Sequence, residues 1–301
     1  MSQNSRVMKL FGQGLIKPPD HVVKGMQYET IMGSAAYGVS DNVSDIDVYG
    51  FNIPFKTILF PHLDGYIDGF GSRPQNFGQW EQHHVKSQDG NKVYDLTIFN
   101  IVKYFQLCMG CNPNMIDSLF THESQVLFMT KIGQLVRERR RLFLSKKAWH
   151  TYKGYAYQQH HKLANKKPES GKRKELIDRH GYDTKFAYHI VRLLCQVEQI
   201  LEEGDLDLMG NREQLKAIRR GEWTEAQISE YYQKKVVSLE TLKIKSDLQD
   251  KPDESAIKEL LFNCLEEHFG SLKNVVVMPD RGRQFTRKLR DLIEEYSDVT
   301  Y

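Results

Sequence analysis

The residues with the most chemical content lie between positions 33 and 47: Gly33-Ser34-Ala35-Ala36-Tyr37-Gly38, then Ser44-Asp45-Ile46-Asp47. A glycine-serine turn that follows a strand leaves backbone N–H groups and a hydroxyl free to face an anion. Aspartates at i and i+2 on a strand project from the same face. Two carboxylates so placed repel each other, and a divalent cation relieves the repulsion. Hard oxygen ligands that leave coordination positions open suit Mg2+ bridging to phosphate oxygens. An anion-binding turn beside a carboxylate pair is the outline of a metal-dependent nucleotidyl-transfer site.

Other chemistry-bearing pairs carry less. Cys108 and Cys111 have the spacing of half a zinc site, but no second pair with suitable spacing follows, so core cysteines at a helix end are expected. His83-His84 falls in a strand-like run, where neighbours point to opposite faces, so this pair is not expected to chelate one ion. His160-His161 is a second adjacent pair. Tyr152, Tyr155 and Tyr157 could stack on bases or pack into a core.

The elements that must position these groups change character along the chain. Met26–Gly33 and Asp45–Pro54 read as strands, and Trp80–Val85 with Lys92–Phe99 as a hairpin around Asp89-Gly90. Pro61–Gly78, rich in Gly, Pro and Asp, reads as loop. From Ile101 the apolar residues Tyr104, Phe105, Cys108 and Met109 take helical spacing, and Asn112-Pro113 interrupts it. Helices are expected over Met115–Phe120, Ser124–Leu144, Lys146–Leu163, Glu213–Arg220, Thr224–Lys245 and Glu254–Phe269. The clearest is Asp183–Glu203, with Phe186, Ile190, Leu193, Leu194, Val197, Ile200 and Leu201 in one stripe. Asn165–Lys174 reads as a polar loop. The organisation expected is a small α/β module over 1–125 joined to a mainly helical region over 126–301.

The 301 residues are 40 % hydrophobic and 27 % charged, too apolar for a disordered chain. No run approaches the ~20 apolar residues of a membrane helix. The N-terminus lacks a secretory pattern, and four cysteines do not make a disulfide framework, which points to a reduced, cytoplasmic setting. The formal net charge of +3 conceals a basic band: residues 137–192 hold 16 Lys or Arg against 5 Asp or Glu, net +11. Such a band suits a polyanionic partner, and equally a solvated helix surface.

The motifs in order resemble a known family. Gly33-Ser34…Asp45-x-Asp47 is similar to the signature of DNA-polymerase-β-like nucleotidyltransferases. The fuller context is Asp95-Leu96-Thr97-Ile98, Lys103-Tyr104-Phe105, Asn112-Pro113 and Asp117-Ser118-Leu119-Phe120, then Gly181-Tyr182-Asp183 through Leu194, then Ile218-Arg219-Arg220-Gly221-Glu222. Together these resemble the RNA-repair-pathway branch of that superfamily (RlaP) over about residues 26–265. Asp117 departs from the longer Glu that the pattern leads one to expect, and the basic loop at 165–174 is extra.

The resemblance implies an α+β fold: a polymerase-β-like core, with a small mixed sheet and helices, followed by a helical C-terminal region. It implies that Gly33 and Ser34 hold a triphosphate and that Asp45 and Asp47 hold metals. A third carboxylate is required; Asp95 is the best candidate, with Asp89 and Asp68 in turn-like sequence behind it. Lys185, His189 and Arg192, at i, i+4 and i+7 on one helical face, would meet the nucleotide. The reaction implied is Mg2+- or Mn2+-assisted transfer of an NMP from an NTP, ATP among them, with two ions and release of pyrophosphate. The acceptor implied is an RNA end, held through the basic band. Two rivals stand beside it: nucleotidylation of a protein or small molecule, and an idle nucleic-acid-binding module of the same fold.

Overall fold

The computed structural model describes residues 5–40, 45–68, 76–165, 170–273, 288–290 and 292–293. Ser44 and part of the 165–174 loop lie outside the described residues. Five strands form one mixed sheet: β1 (Met26–Ile31), β2 (Ile46–Asn52), β3 (Gln79–Lys86), β4 (Val93–Asn100) and β5 (Val126–Met129), in the order β3-β4-β2-β1-β5. β1 pairs antiparallel with β2 and β5, β3 antiparallel with β4, and β2 parallel with β4.

Thirteen α-helices are described: α1 (Arg6–Gly12), α2 (Asp20–Lys24), α3 (Gly33–Ala36), α4 (Lys56–Leu59), α5 (Ile101–Met109), α6 (Pro113–Phe120), α7 (Lys131–Glu138), α8 (Lys147–Asn165), α9 (Lys172–His180), α10 (Thr184–Glu203), α11 (Arg212–Arg219), α12 (Glu225–Lys245) and α13 (Glu254–Phe269). Their ends follow local chemistry. Asn112 caps α6 with Pro113 at its first position, and Thr224 and Gln227 form a capping box on α12. Asp183 caps α10 by accepting from the Lys185 and Phe186 N–H groups.

The sheet separates two cores. Val48, Leu96 and Ile98 point to the smaller one, with Val7 and Leu10 of α1 and Val22 of α2. Phe51 and Phe99 point to the larger, which runs through Tyr104 of α5, Trp149 and Tyr152 of α8 and most of α10 to Leu265 of α13. α10 packs against α8, α11 and α12 and is buried well beyond one stripe. Each large apolar side chain fully buried there contributes roughly 1.5–3 kcal/mol. α1 is anchored by the buried Glu29 of β1, which accepts from Ser5 Oγ (2.8 Å) and the Val7 N–H (3.1 Å).

Two local expectations are corrected. Residues 124–144 are not one helix: Val126–Met129 forms the edge strand β5, with α7 after it. β5 is four apolar residues long, and periodicity alone does not distinguish so short a run from part of a helix. Residues 172–174 begin α9 rather than ending a loop. α9 has only Leu176 and Ile177 as apolar residues and buries none of its side chains, so it carries no apolar period to read.

Candidate active site

Parallel pairing of β2 and β4 sets Asp47 directly opposite Asp95. Both share the parity of Phe51 and Phe99, the face turned to the larger core. They sit near the starts of their strands, where that face opens into a cleft of about 840 Å³ also lined by Asp45, Gly33 and Ser34. Burial raises the Asp47 carboxyl above its ordinary pKa, and the negative charges of Asp95 and Asp45 raise it further. Three carboxylates held this close against their own repulsion fit divalent cations. Asp89 is bonded into the hairpin turn by Ser87 and Asn91, and Asp68 is exposed beside Tyr66; neither lines the cleft.

Gly33 has φ +65°, and a Cβ built on it would lie 1.9 Å from Asp47 Oδ2. The glycine therefore makes room for the Asp47 carboxylate itself, a reason separate from close approach of a phosphate. The Met32 N–H donates to the Asp47 carbonyl at 2.8 Å, which ties the turn to β2.

The premise that strand neighbours here point to opposite faces does not hold, although only His84 of the His83-His84 pair joins a group of possible metal ligands. Gln82 pairs with Leu96 and Val85 with Tyr94, so two residues of β3 oppose the single Asp95. This bulge suspends the alternation of faces. His84 takes a positive φ of 55°, and its N–H donates to Asp95 Oδ1 at 2.7 Å. Nδ1 of His83 and of His84 lie 3.6 and 3.9 Å from that same oxygen. Ligand-type atoms of Asp45, His84 and Asp95 lie within 4.8 Å of one another. Asp47 stands outside this compact trio, on the side of the Gly33 turn.

The opposite wall is cationic. Lys172, Arg173, Arg179, Lys185 and Arg219 line the cleft. Arg179, Lys185 and Arg219 continue into an adjoining cleft of about 300 Å³ with Lys216 and Arg220. Lys185 is exposed on the first turn of α10, and its charge acts on Asp47. His189 is held well below its ordinary pKa, first by burial, then by the charges of Arg192, Lys185, Arg173 and Arg219. It is a neutral imidazole among cations. The basic band thus divides in two. Arg140 lines a separate cavity, and Arg141 pairs with Asp205, while Lys172, Arg173, Arg179 and Lys185 line the cleft that holds the carboxylates.

Arg192 borders the cleft, but its guanidinium is engaged within the protein. It donates to Asp117 Oδ2 at 2.8 Å and to the Tyr37 hydroxyl, and lies over the Tyr37 ring. Tyr37 also donates to Asp117 Oδ2 at 2.6 Å, and Gln196 to Oδ1 at 3.1 Å. Asp117 and Arg192 are almost wholly buried. This cluster joins the residue after α3 to α6 and α10. Arg219 likewise donates to the Val39 carbonyl at 2.8 Å.

The remaining pairs are structural. Cys108, Cys111, Cys195 and Cys264 are free and buried. His160 stacks on Tyr232 at 4.5 Å. Tyr152 is in the core, whereas Tyr157 is exposed. Glu222 pairs with Arg220 at 2.5 Å on the surface.

A mixed sheet with carboxylates at the starts of two parallel neighbours, faced by a glycine-serine turn, is the core of a polymerase-β-like nucleotidyltransferase, here followed by a helical region. The sequence model of the RNA repair pathway DNA polymerase beta family (RlaP) matches residues 20–272, and the chain belongs to that family. Among solved structures, a nucleotidyltransferase-like protein from Exiguobacterium sibiricum aligns over 86 % of this chain and 78 % of its own, at 10 % identity and a TM-score of 0.28. A likeness at that score carries no argument. No curated protein matches the chain. Among the described residues, no helix is long and apolar enough to cross a membrane.

Proposed function

We propose that this protein transfers a nucleotidyl group from an NTP to a hydroxyl at an RNA end, releasing pyrophosphate. The observation that carries the reading is the register of Asp47 opposite Asp95, with Asp45 beside them and a cationic wall across the cleft. Asp45, Asp47 and Asp95 would hold Mg2+ or Mn2+. Such ions, when bound, favour deprotonation of the attacking hydroxyl and stabilise charge on the α-phosphate and the leaving oxygen. The amides and hydroxyl of the Gly33-Ser34 turn bind the triphosphate, and Lys185 neutralises its outer phosphates as a mobile point charge. His189, neutral and half-buried behind Lys185, offers a hydrogen bond without further charge. The acceptor oxygen forms a bond to the α-phosphorus, the hydroxyl proton leaves to Asp95, and the bond to the bridging oxygen breaks with its electron pair on pyrophosphate. The cations from Lys172 to Arg220, spread over two adjoining clefts, support a polyanionic acceptor.

The test incubates the purified protein with each α-labelled NTP, Mg2+ or Mn2+, and either RNA or protein acceptors. Label on RNA, lost in Asp47→Asn, is the expected result. Label on protein instead moves the acceptor assignment and leaves the chemistry standing. Normal turnover by Asp47→Asn refutes the reading.

A further inference from the structure

We propose that His84 is a metal ligand, and that it makes the Asp45–Asp95 side of the site a mixed oxygen–nitrogen position which takes a first-row transition-metal dication in preference to Mg2+. This rests on the reading of Asp45, Asp47 and Asp95 as cation-binding carboxylates. Three observations carry it. The β3 bulge places two histidines against one aspartate where a regular strand would place one residue. His84 holds a left-handed backbone, which non-glycine residues adopt at a cost of order 1–3 kcal/mol and which clusters at functional sites. Its side chain is 82 % exposed, so burial supplies no reason for an imidazole there.

The donor geometry fits one ion. Ligand atoms about 2.1 Å from a common cation lie at most about 4.2 Å apart. The atoms of Asp45, His84 and Asp95 already lie within 4.8 Å of one another. Closing the difference takes a small rotation of exposed side chains on Asp45 and His84. The His84 N–H on Asp95 Oδ1 meanwhile fixes the carboxylate that shares the site. Imidazole nitrogen suits transition metals, whereas Mg2+ keeps to oxygen ligands and water. Asp47, outside the trio, is left to the ion nearest the Gly33-Ser34 turn. The two cation positions thus differ in donor chemistry.

The test uses the full chain without nucleotide and Mn2+ as the probe. Electron spin-echo envelope modulation of bound Mn2+ is expected to show coupling to 14N. The coupling should vanish in His84→Gly, which accepts the left-handed backbone and keeps the N–H bonded to Asp95, and persist in His83→Ala. Mn2+ affinity should fall about tenfold or more in His84→Gly, the low end of what even an outer-shell partner costs. Mg2+ affinity, read by competition, should change far less. Mn2+ bound to the wild type without nitrogen coupling, or coupling that survives in His84→Gly, overturns the assignment of His84 and leaves the carboxylate reading intact. No Mn2+ binding by the wild type overturns both.

Discussion

Replacing Gly33 by alanine separates two reasons for a glycine at that position. The substitution forces an L residue to φ +65°, which costs roughly 1–2 kcal/mol. It also sets a methyl group 1.9 Å from Asp47 Oδ2. That oxygen is the far end of a side chain and can swing aside, so the collision adds little to the loss of stability. What it removes is the carboxylate's position opposite Asp95. Gly33→Ala is therefore expected to lose about 1–2 kcal/mol in urea unfolding, and to lose cation affinity to the same degree as Asp47→Asn. In an Asp47→Asn background, Gly33→Ala should cause no further loss of affinity, although its cost in stability persists. The assay is a Mn2+ titration with no nucleotide present. A glycine needed only for approach of phosphate leaves that titration unchanged when it is replaced. Unaltered Mn2+ affinity in Gly33→Ala would falsify the packing argument.

Three further outcomes are expected. Arg192→Ala leaves the buried Asp117 uncompensated and should cost about 3–5 kcal/mol in urea unfolding, with much of it recovered in Arg192→Ala/Asp117→Asn; additive losses would refute the pairing. Burial raises the pKa of Glu29 in the folded state, so its contribution to stability is fully present below the ordinary glutamate pKa and is lost as pH rises through the raised value; Glu29→Gln should lack that part of the pH dependence, and parallel curves for the two proteins would contradict it. Neutralising Lys172 and Arg179 should weaken RNA binding and flatten its salt dependence by about 0.7 in log–log slope for each phosphate the protein no longer neutralises, whereas Arg139 and Arg141 should matter less because they lie away from the cleft; equal effects would restore the basic band as one surface.

Much of the scaffold was legible because its signals are local. The hairpin around Asp89-Gly90 announces β3 and β4, the 3.6-residue spacing announces α5 and α10, and Asn112-Pro113 announces the start of α6. Asp45 and Asp47 were legible as types at a spacing and Asp95 through the family resemblance, and the placing of Asp47 opposite Asp95 is a strand register. What escaped depends on partners distant in the chain. Arg192 lines the cleft, but its buried bond to Asp117, 75 positions away, could not be read from its spacing on α10. The bulge at His83-His84 has no glycine to betray it. Lys172, Arg173 and Arg179 are visible only as charge, because α9 has no apolar face to give their direction.

The Tyr37–Asp117–Arg192 cluster has a mechanical consequence. It rivets the loop that presents Ser34 to the helix that presents Lys185 through a buried, charged joint. The two jaws that would grip a triphosphate therefore form a single rigid part. Opening the cleft by swinging one jaw from the other would strip a guanidinium and a carboxylate of each other in the interior, at several kcal/mol. A triphosphate held there would meet a seat already built, and a movement that admits an acceptor would have to hinge elsewhere; α9 buries no side chain and brings Lys172, Arg173 and Arg179 to the cleft, although the bond from Arg173 to the buried Asp183 holds it to α10.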